Sequence, residues 1–320
     1  MSGGESEDDL LRPWRAEGQW DSQGSFTLDP AQAMEKLRAF ALAQPRRYIL
    51  NLVSWAVAAG ATSFDVTARA GRLEVVTPGL PLSYGELREL FSERLTDEAS
   101  LLSWSALARR ELTVATITAS GLPQARVTLS GQGGRLTCRP GGFQLESQGD
   151  GPTRWLLEES RSLIGWVGRA LRDETLEIPI LRESCAHAEI SITVNGAPIY
   201  RPLALPRIRK AIHLVSPAAL PVEPEQLADP TVESRPSPGA FSALVVASTT
   251  PILSTSALYL VRGVSFEMPP VEVYGTNFAV VVSAPELRKD LSGTTLVRDE
   301  RCRLIEQQVA QAARELWDSP

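Results

Sequence analysis

The chain of 320 residues has little with which to build a metal or redox centre, holding 3 cysteines and 2 histidines. Cys138, Cys185 and Cys302 lie far apart and form no C-x-x-C pair, and His187 and His213 stand alone. Zinc sites gather such residues in close pairs, so no metal site is expected. Cys185 and His187 are near one another in sequence, but alternate residues of a strand face opposite sides, which argues against a thiol and its base. No run of about 18 apolar residues appears, which excludes a spanning helix and leaves no membrane partner expected. Positive charge is also scarce: the formal net charge is −6 and the pI near 5.2. A general phosphate-backbone binder shows a basic balance, so no nucleic-acid partner is expected. The basic clusters at Arg46-Arg47, at Arg109-Arg110 and over residues 207–210 read as solvated surface or helix-end charge. The first residues, MSGGESEDDLLRPWR, lack a basic start followed by an apolar stretch, so no secretory signal is expected and the cytoplasm is the expected compartment.

What is present is a globular composition, 43% hydrophobic, long enough for two domains. Residues 1–24 combine Gly, Ser, Glu and Asp with isolated Trp14 and Trp20, and read as a flexible acidic tail. Residues 25–200 read as the first α/β domain. It opens with a short strand, a helix over 31–42 started by Asp29 and Pro30, and an apolar helix from Arg47. Strands follow at 63–68 and 72–76. Ser83 with Glu86 has the form of a capping box. A helix is expected over 101–108. From Glu111 the period changes, and 112–118, 125–130, 134–139, 142–147 and 151–157 read as an antiparallel meander. A helix over 160–171, a strand over 188–194 and a type I′ turn at Asn195-Gly196 complete the domain. Residues 201–240 carry Pro202, Pro206, Pro217, Pro221, Pro224, Pro230, Pro236 and Pro238. They read as an extended connector, with 208–215 as one strand within it. Residues 241–320 form a smaller α/β domain with strands at 243–247, 257–264 and 278–283 and a helix over 298–317.

The most informative stretch is 48–91, YILNLVSWAVAAGATSFDVTARAGRLEVVTPGLPLSYGELRELF. An apolar helix runs into Ala59-Gly60-Ala61-Thr62, then an alternating strand, a second strand, a Pro/Gly turn and an amphipathic helix. This order resembles the GHKL ATPases, the superfamily of gyrase, ninety-kilodalton heat-shock chaperones, histidine kinases and MutL. Their motifs read E-x-x-x-N-x-x-D-A-G-A-T and D-x-G-x-G. On that frame the family glutamate falls on Asn51, its asparagine on Trp55 and its aspartate on Ala58. The second motif falls on Thr77-Pro78-Gly79-Leu80-Pro81, so Gly79 survives while Thr77 replaces the adenine-binding carboxylate. Residues 151–157 resemble the G-T-x-V-x-L strand that closes the family's pocket, with Thr153 on its threonine. The resemblance implies a two-layer sandwich of the GHKL type with a mixed sheet. Residues 258–264 and 277–292 resemble the start of the chaperone middle domain. Where that family carries a catalytic-loop arginine, this chain has Gly293-Thr294-Thr295, so the trans-acting charge that would contact the γ-phosphate is missing too.

The replacements remove the chemistry. An amide at Asn51 cannot take a proton from water, and the indole at Trp55 offers magnesium no oxygen. An adenine amine left unpaired at Thr77 costs roughly 1–3 kcal/mol. The resemblance thus implies a pseudo-ATPase with no catalytic residue and no cofactor, acting through an unknown protein partner. Gly79 and Thr153 are the retained positions of a degenerate nucleotide cleft. The alternative is a divergent ATP-binding protein or ATPase that recruits Asp65, Glu86 or Glu89. A third is an adaptor using the P-x-x-P match at Pro221-Val222-Glu223-Pro224. Trp55 is either a buried plug or a contact surface.

Overall fold

Alternation of buried and exposed side chains at every second position builds the first of two sheets. The computed structural model describes residues 44–90, 104–140, 142–147, 151–159, 175–249, 257–268, 278–290 and 293–318. The tail at 1–24, the strand and helix expected over 25–42, and the helix expected over 160–171 lie outside the described residues.

The first sheet contains β1 (Ser63–Arg69), β2 (Arg72–Thr77), β3 (Ala125–Gly131), β4 (Gly134–Arg139), β5 (Gly142–Glu146), β6 (Thr153–Glu159), β7 (Ser191–Val194) and β8 (Ala197–Pro198). Their order is β5-β4-β3-β6-β2-β1-β7-β8, with β1 and β7 parallel and the other pairs antiparallel. In β6, Thr153, Trp155 and Leu157 point inward while Arg154 lies exposed between them. On the inner face lie α1 (Tyr48–Ala58), α2 (Tyr84–Glu89) and α3 (Trp104–Ser120), and α4 (Glu177–Ser184) packs against α1. Ser83 and Glu86 form the expected reciprocal cap at the start of α2. The Tyr48 and Trp155 rings meet at a centroid distance of 5.4 Å, and Trp155 Nε1 donates to Thr116 Oγ1 at 3.3 Å. These contacts fix α1 and α3 on the sheet.

The second sheet contains β9 (Ile208–Val215), β10 (Val232–Pro236), β11 (Ser242–Ser248), β12 (Ala257–Val261), β13 (Val264–Met268) and β14 (Phe278–Ser283), in the order β10-β9-β11-β14-β12-β13. Every residue of β11 is buried, as a central strand covered on both faces requires. One cover is α6 (Glu300–Asp318), which buries Val309, Ala312 and Ala313. The molecule is thus mixed α/β, with two mixed sheets packed against helices.

Three expectations are corrected. Residues 112–118 are helix within α3, although Thr113, Val114, Thr116, Ile117 and Thr118 favour strands. Packing against α1 decides the conformation, burying Leu112, Ala115 and Ala119 at helical spacing. The Pro-rich stretch is not a connector. It supplies β9, β10 and the short helix α5 (Pro224–Leu227), while Leu203, Leu205, Leu220 and Val222 cover the other face of the second sheet. Prolines are admissible there because Pro236 ends an edge strand and Pro224 begins a helix. The third correction concerns 257–264, which is a hairpin folding back at Arg262-Gly263, so that Val261 pairs with Val264.

That hairpin tip packs against α1. Gly263 has φ +76, and a Cβ there would stand 3.0 Å from Val53 Cγ1 and 3.1 Å from Val57 Cγ2. Arg262 also lies in the left-handed region, at φ 49, so the pair has the backbone of a tight type I′ turn. Gly263→Ala is expected to cost about 1–3 kcal/mol, since an incompatible backbone and a crowded contact coincide. A denaturant melt of the variant checks this, and an unchanged midpoint would contradict the packing described.

Candidate functional site

The two sheets meet at a buried polar cluster rather than at a purely apolar seam. α1 contributes Asn51 and Ser54, which interrupt its otherwise apolar surface, and α3 contributes Glu111. Across the joint stand Arg262 from the β12–β13 turn and Lys289 from the segment after β14. Lys289 Nζ donates to Glu111 Oε2 at 2.9 Å, to Ser54 Oγ at 2.7 Å and to Asn51 Oδ1 at 3.2 Å. Arg262 Nη2 donates to Glu111 Oε1 at 3.3 Å. Its Nη1 donates to the Leu287 carbonyl at 3.0 Å and also to that of Pro285. Ser54 Oγ in turn donates to the Arg262 carbonyl at 3.3 Å. The three ionisable residues are only 3–6% exposed.

Burial pushes the Glu111 carboxyl up, but attraction to Lys289 and Arg262 outweighs it and holds the group below its ordinary value. Burial also draws the Lys289 ammonium down, against the pull of Glu111. Both oxygens of Glu111 are taken by cations, so the carboxylate is spent on these two ion pairs. The arrangement is that of a fixed ion cluster, not of a general base. Breaking a buried pair leaves an uncompensated charge, so the cluster clamps the two units together.

The positions singled out by sequence divide into two groups. Asn51 is buried and occupied by Lys289, and Gly293, at φ +67, stands so close that a Cβ there would lie 2.9 Å from Asn51 Oδ1. The segment around Gly293-Thr294-Thr295 therefore reaches α1, and a cation comes with it. That cation is Lys289, four residues earlier. Trp55 is 2% exposed, which makes it a core residue and not a surface contact. Ala58, near the end of the same helix, is buried as well. The second group surrounds the turn after β2. Thr77 and Thr153 are cross-strand partners on β2 and β6. Thr153 Oγ1 accepts from Leu82 N at 3.0 Å and donates to the Leu80 carbonyl, so this hydroxyl pins the loop that follows Gly79. Thr77 Oγ1 is buried and has no hydrogen-bond partner among the described residues.

The other acids have structural partners. Glu86 closes the α2 cap, Glu89 pairs with Arg109 at 2.8 Å, and Asp65 accepts from Thr193 Oγ1 at 2.7 Å. Burial pushes the Cys185 thiol up to about 12. His187 Nδ1 is engaged by the Arg201 carbonyl at 2.7 Å, so these two residues form no nucleophile and base. Cys185 caps the end of α4 and is not on a strand, contrary to the expectation. Among the described residues no group of three or more His, Cys, Asp or Glu side chains could hold a metal ion, and no helix is long and apolar enough to cross a membrane.

Sequence reasoning missed Lys289, Arg262, Glu111 and Ser54. The only local signal was the hydroxyl of Ser54 between Val53 and Trp55, because Glu111 follows Arg109-Arg110 and Lys289 lies between Arg288 and Asp290, as ordinary surface charges do. No known family model matches the chain, and no curated protein is significantly similar to it.

Glu111→Ala is expected to destabilise the protein by about 3–5 kcal/mol, because two buried cations lose their counter-charge. Its pH dependence has a definite sign. The folded carboxyl is more acidic than the ordinary value of 4.5, so its contribution is complete above that pH and is lost as pH falls through the lower folded value. Thermal melts from pH 7 to pH 3 should show a steeper acid loss for the wild type than for Glu111→Gln. Parallel curves would contradict an ionised cluster.

Proposed function

We propose that this chain is a non-catalytic, GHKL-like protein of the cytoplasm that acts as a chaperone-like partner in protein–protein interaction. The observation that supports this most directly is the state of Asn51. The position that carries the water-activating carboxylate in GHKL enzymes holds an amide here, and its oxygen receives a buried lysine ammonium. An attacking water would find neither a base nor space at that atom.

The nearest carboxylate, Glu111, does not restore activity on this reading. A general base is most effective with a pKa near the working pH, whereas Glu111 is held ionised between two cations. Asp65, Glu86 and Glu89, which the ATPase alternative would recruit, are tied to Thr193, to the α2 cap and to Arg109. Trp55 is buried at the position that supplies a magnesium ligand in relatives, and its indole has no oxygen to offer. The retained Thr153 spends its hydroxyl on the loop at 80–82. Together these features favour an interaction protein built on a closed frame.

Purified protein is expected to release no phosphate from magnesium ATP above a buffer control. Millimolar ATP should also leave the melting temperature unchanged, whereas a ligand at 100 times its dissociation constant would stabilise by about 2.7 kcal/mol. A melting shift abolished by Thr153→Val would replace this reading with that of a divergent ATP-binding protein.

Trp55→Ala tests the buried plug. Removal of a large core aromatic should cost about 3–5 kcal/mol in a denaturant melt, with no gain of nucleotide binding. A loss within about 0.5 kcal/mol, the range of surface substitutions, would contradict the burial described.

A further inference from the structure

The outer face of the first sheet carries a concavity of about 460 Å³ on β3, β4, β5 and β6. Four arginines line it: Arg126, Arg135, Arg139 and Arg154. Only Arg154 is neutralised, by Glu74 at 2.9 Å. Arg126, Arg135 and Arg139 make no ion pair among the described residues. Register makes this more telling. Val127 pairs with Cys138, so one step further along the ladder Arg126 stands opposite Arg139. Like charges directly opposite destabilise a sheet, and here neither arginine is bonded to an acid on its own face. The two glutamates of the concavity stand directly across from arginines, Glu158 from Arg126 and Glu146 from Arg135, but neither closes to an ion pair with them, and Arg139 faces no acid across the β4–β5 ladder.

We propose that this face binds an extended acidic peptide segment of a partner protein. The proposal rests on the reading of the chain as an interaction protein, and it names the surface and the chemistry of what that surface takes. Three observations select a peptide over other anions. Among the described residues no aromatic ring lines the concavity, so unpaired bases find nothing to stack on there. Glu146 and Glu158 interrupt the positive field, which opposes a chain with a charge on every unit such as a nucleic acid. A peptide can set neutral residues against them. The spacing also fits: Arg135 and Arg139 are four residues apart on β4, about 14 Å, which is the advance of four residues in an extended peptide. Thr128, Thr137 and Gln144 supply polar contacts between the charges, and half-buried Leu156 gives the floor one apolar patch.

The test uses the full chain and a fluorescent ten-residue peptide of alternating Glu and Ser, followed by anisotropy in 50 mM salt. Ten-nucleotide oligothymidylate and inorganic phosphate serve as competing probes. Saturable peptide binding is expected, weakened at least tenfold in 500 mM salt by screening. The double substitution Arg126→Ser with Arg139→Ser should weaken it at least tenfold, and a cooperative thermal melt of the variant shows that it is folded when binding is measured. Arg298→Ser, on the second unit, should leave binding unchanged. Absence of peptide binding at millimolar concentration, equal binding by the double variant, or tighter binding of the oligonucleotide would each overturn the proposal. Failed peptide binding with no ATP hydrolysis overturns this surface alone, whereas ATP hydrolysis with intact peptide binding overturns the non-catalytic reading and leaves the surface standing.

Discussion

The structure depends on one buried ion cluster, the carboxylate of Glu111 held between Lys289 and Arg262. Each charge by itself would be costly to bury, and each is tolerable only because the others are present. The cluster thus makes the joint conditional. α1 and α3 are completed by groups from the second unit, and those groups are completed by α1 and α3. Slippage of the joint by one residue would strand charge in a dry interior, whereas an apolar seam could repack with little loss. This explains why Arg262 occupies a turn position that asparagine fills with less strain. Its guanidinium ties Glu111 to the carbonyls of Pro285 and Leu287, so the unfavourable backbone joins its own hairpin to two other segments.

The first sheet then divides its work between two faces. Its inner face is apolar and carries the helices, with Trp155 against Tyr48 and Thr116. A second ionic tie strengthens that side. Arg46 bonds Glu159 at 2.6 Å and Glu177 at 2.7 Å, and Tyr48 Oη adds a third contact to Glu177, linking the entry to α1 with the end of β6 and the start of α4. The outer face carries arginines with no helix above them among the described residues. Rigid support from below and unpaired charge above are what a preformed recognition surface requires, because little ordering entropy remains to be lost on binding.

Local features were legible in the sequence, and long-range ones were not. The Ser83 cap, the Asn195-Gly196 turn, the strands from 125 to 159, β14 and the final helix all follow from residues within a few positions of one another. The helical state of 112–118 was hidden because its β-branched residues favour a strand and only contact with α1 reverses the balance. The role of the Pro-rich stretch was hidden for a related reason. Prolines mark where a ladder must stop, but they do not reveal that the leucines between them cover a sheet. Of the candidate site, the placement of Asn51 and Trp55 on one apolar helix was readable. The partner of Asn51 was not, since Lys289 lies 238 residues away and no spacing rule connects them.

That separation bears on how the chain is made. Lys289 follows Glu111 by 178 residues, which at ordinary rates of synthesis is a delay of roughly 9–36 s. Until it passes, Glu111 lacks the ammonium that accompanies it in the finished structure, and a carboxylate without its full set of partners is costly to bury. The joint at α1 and α3 therefore cannot be completed until residue 289 has been made.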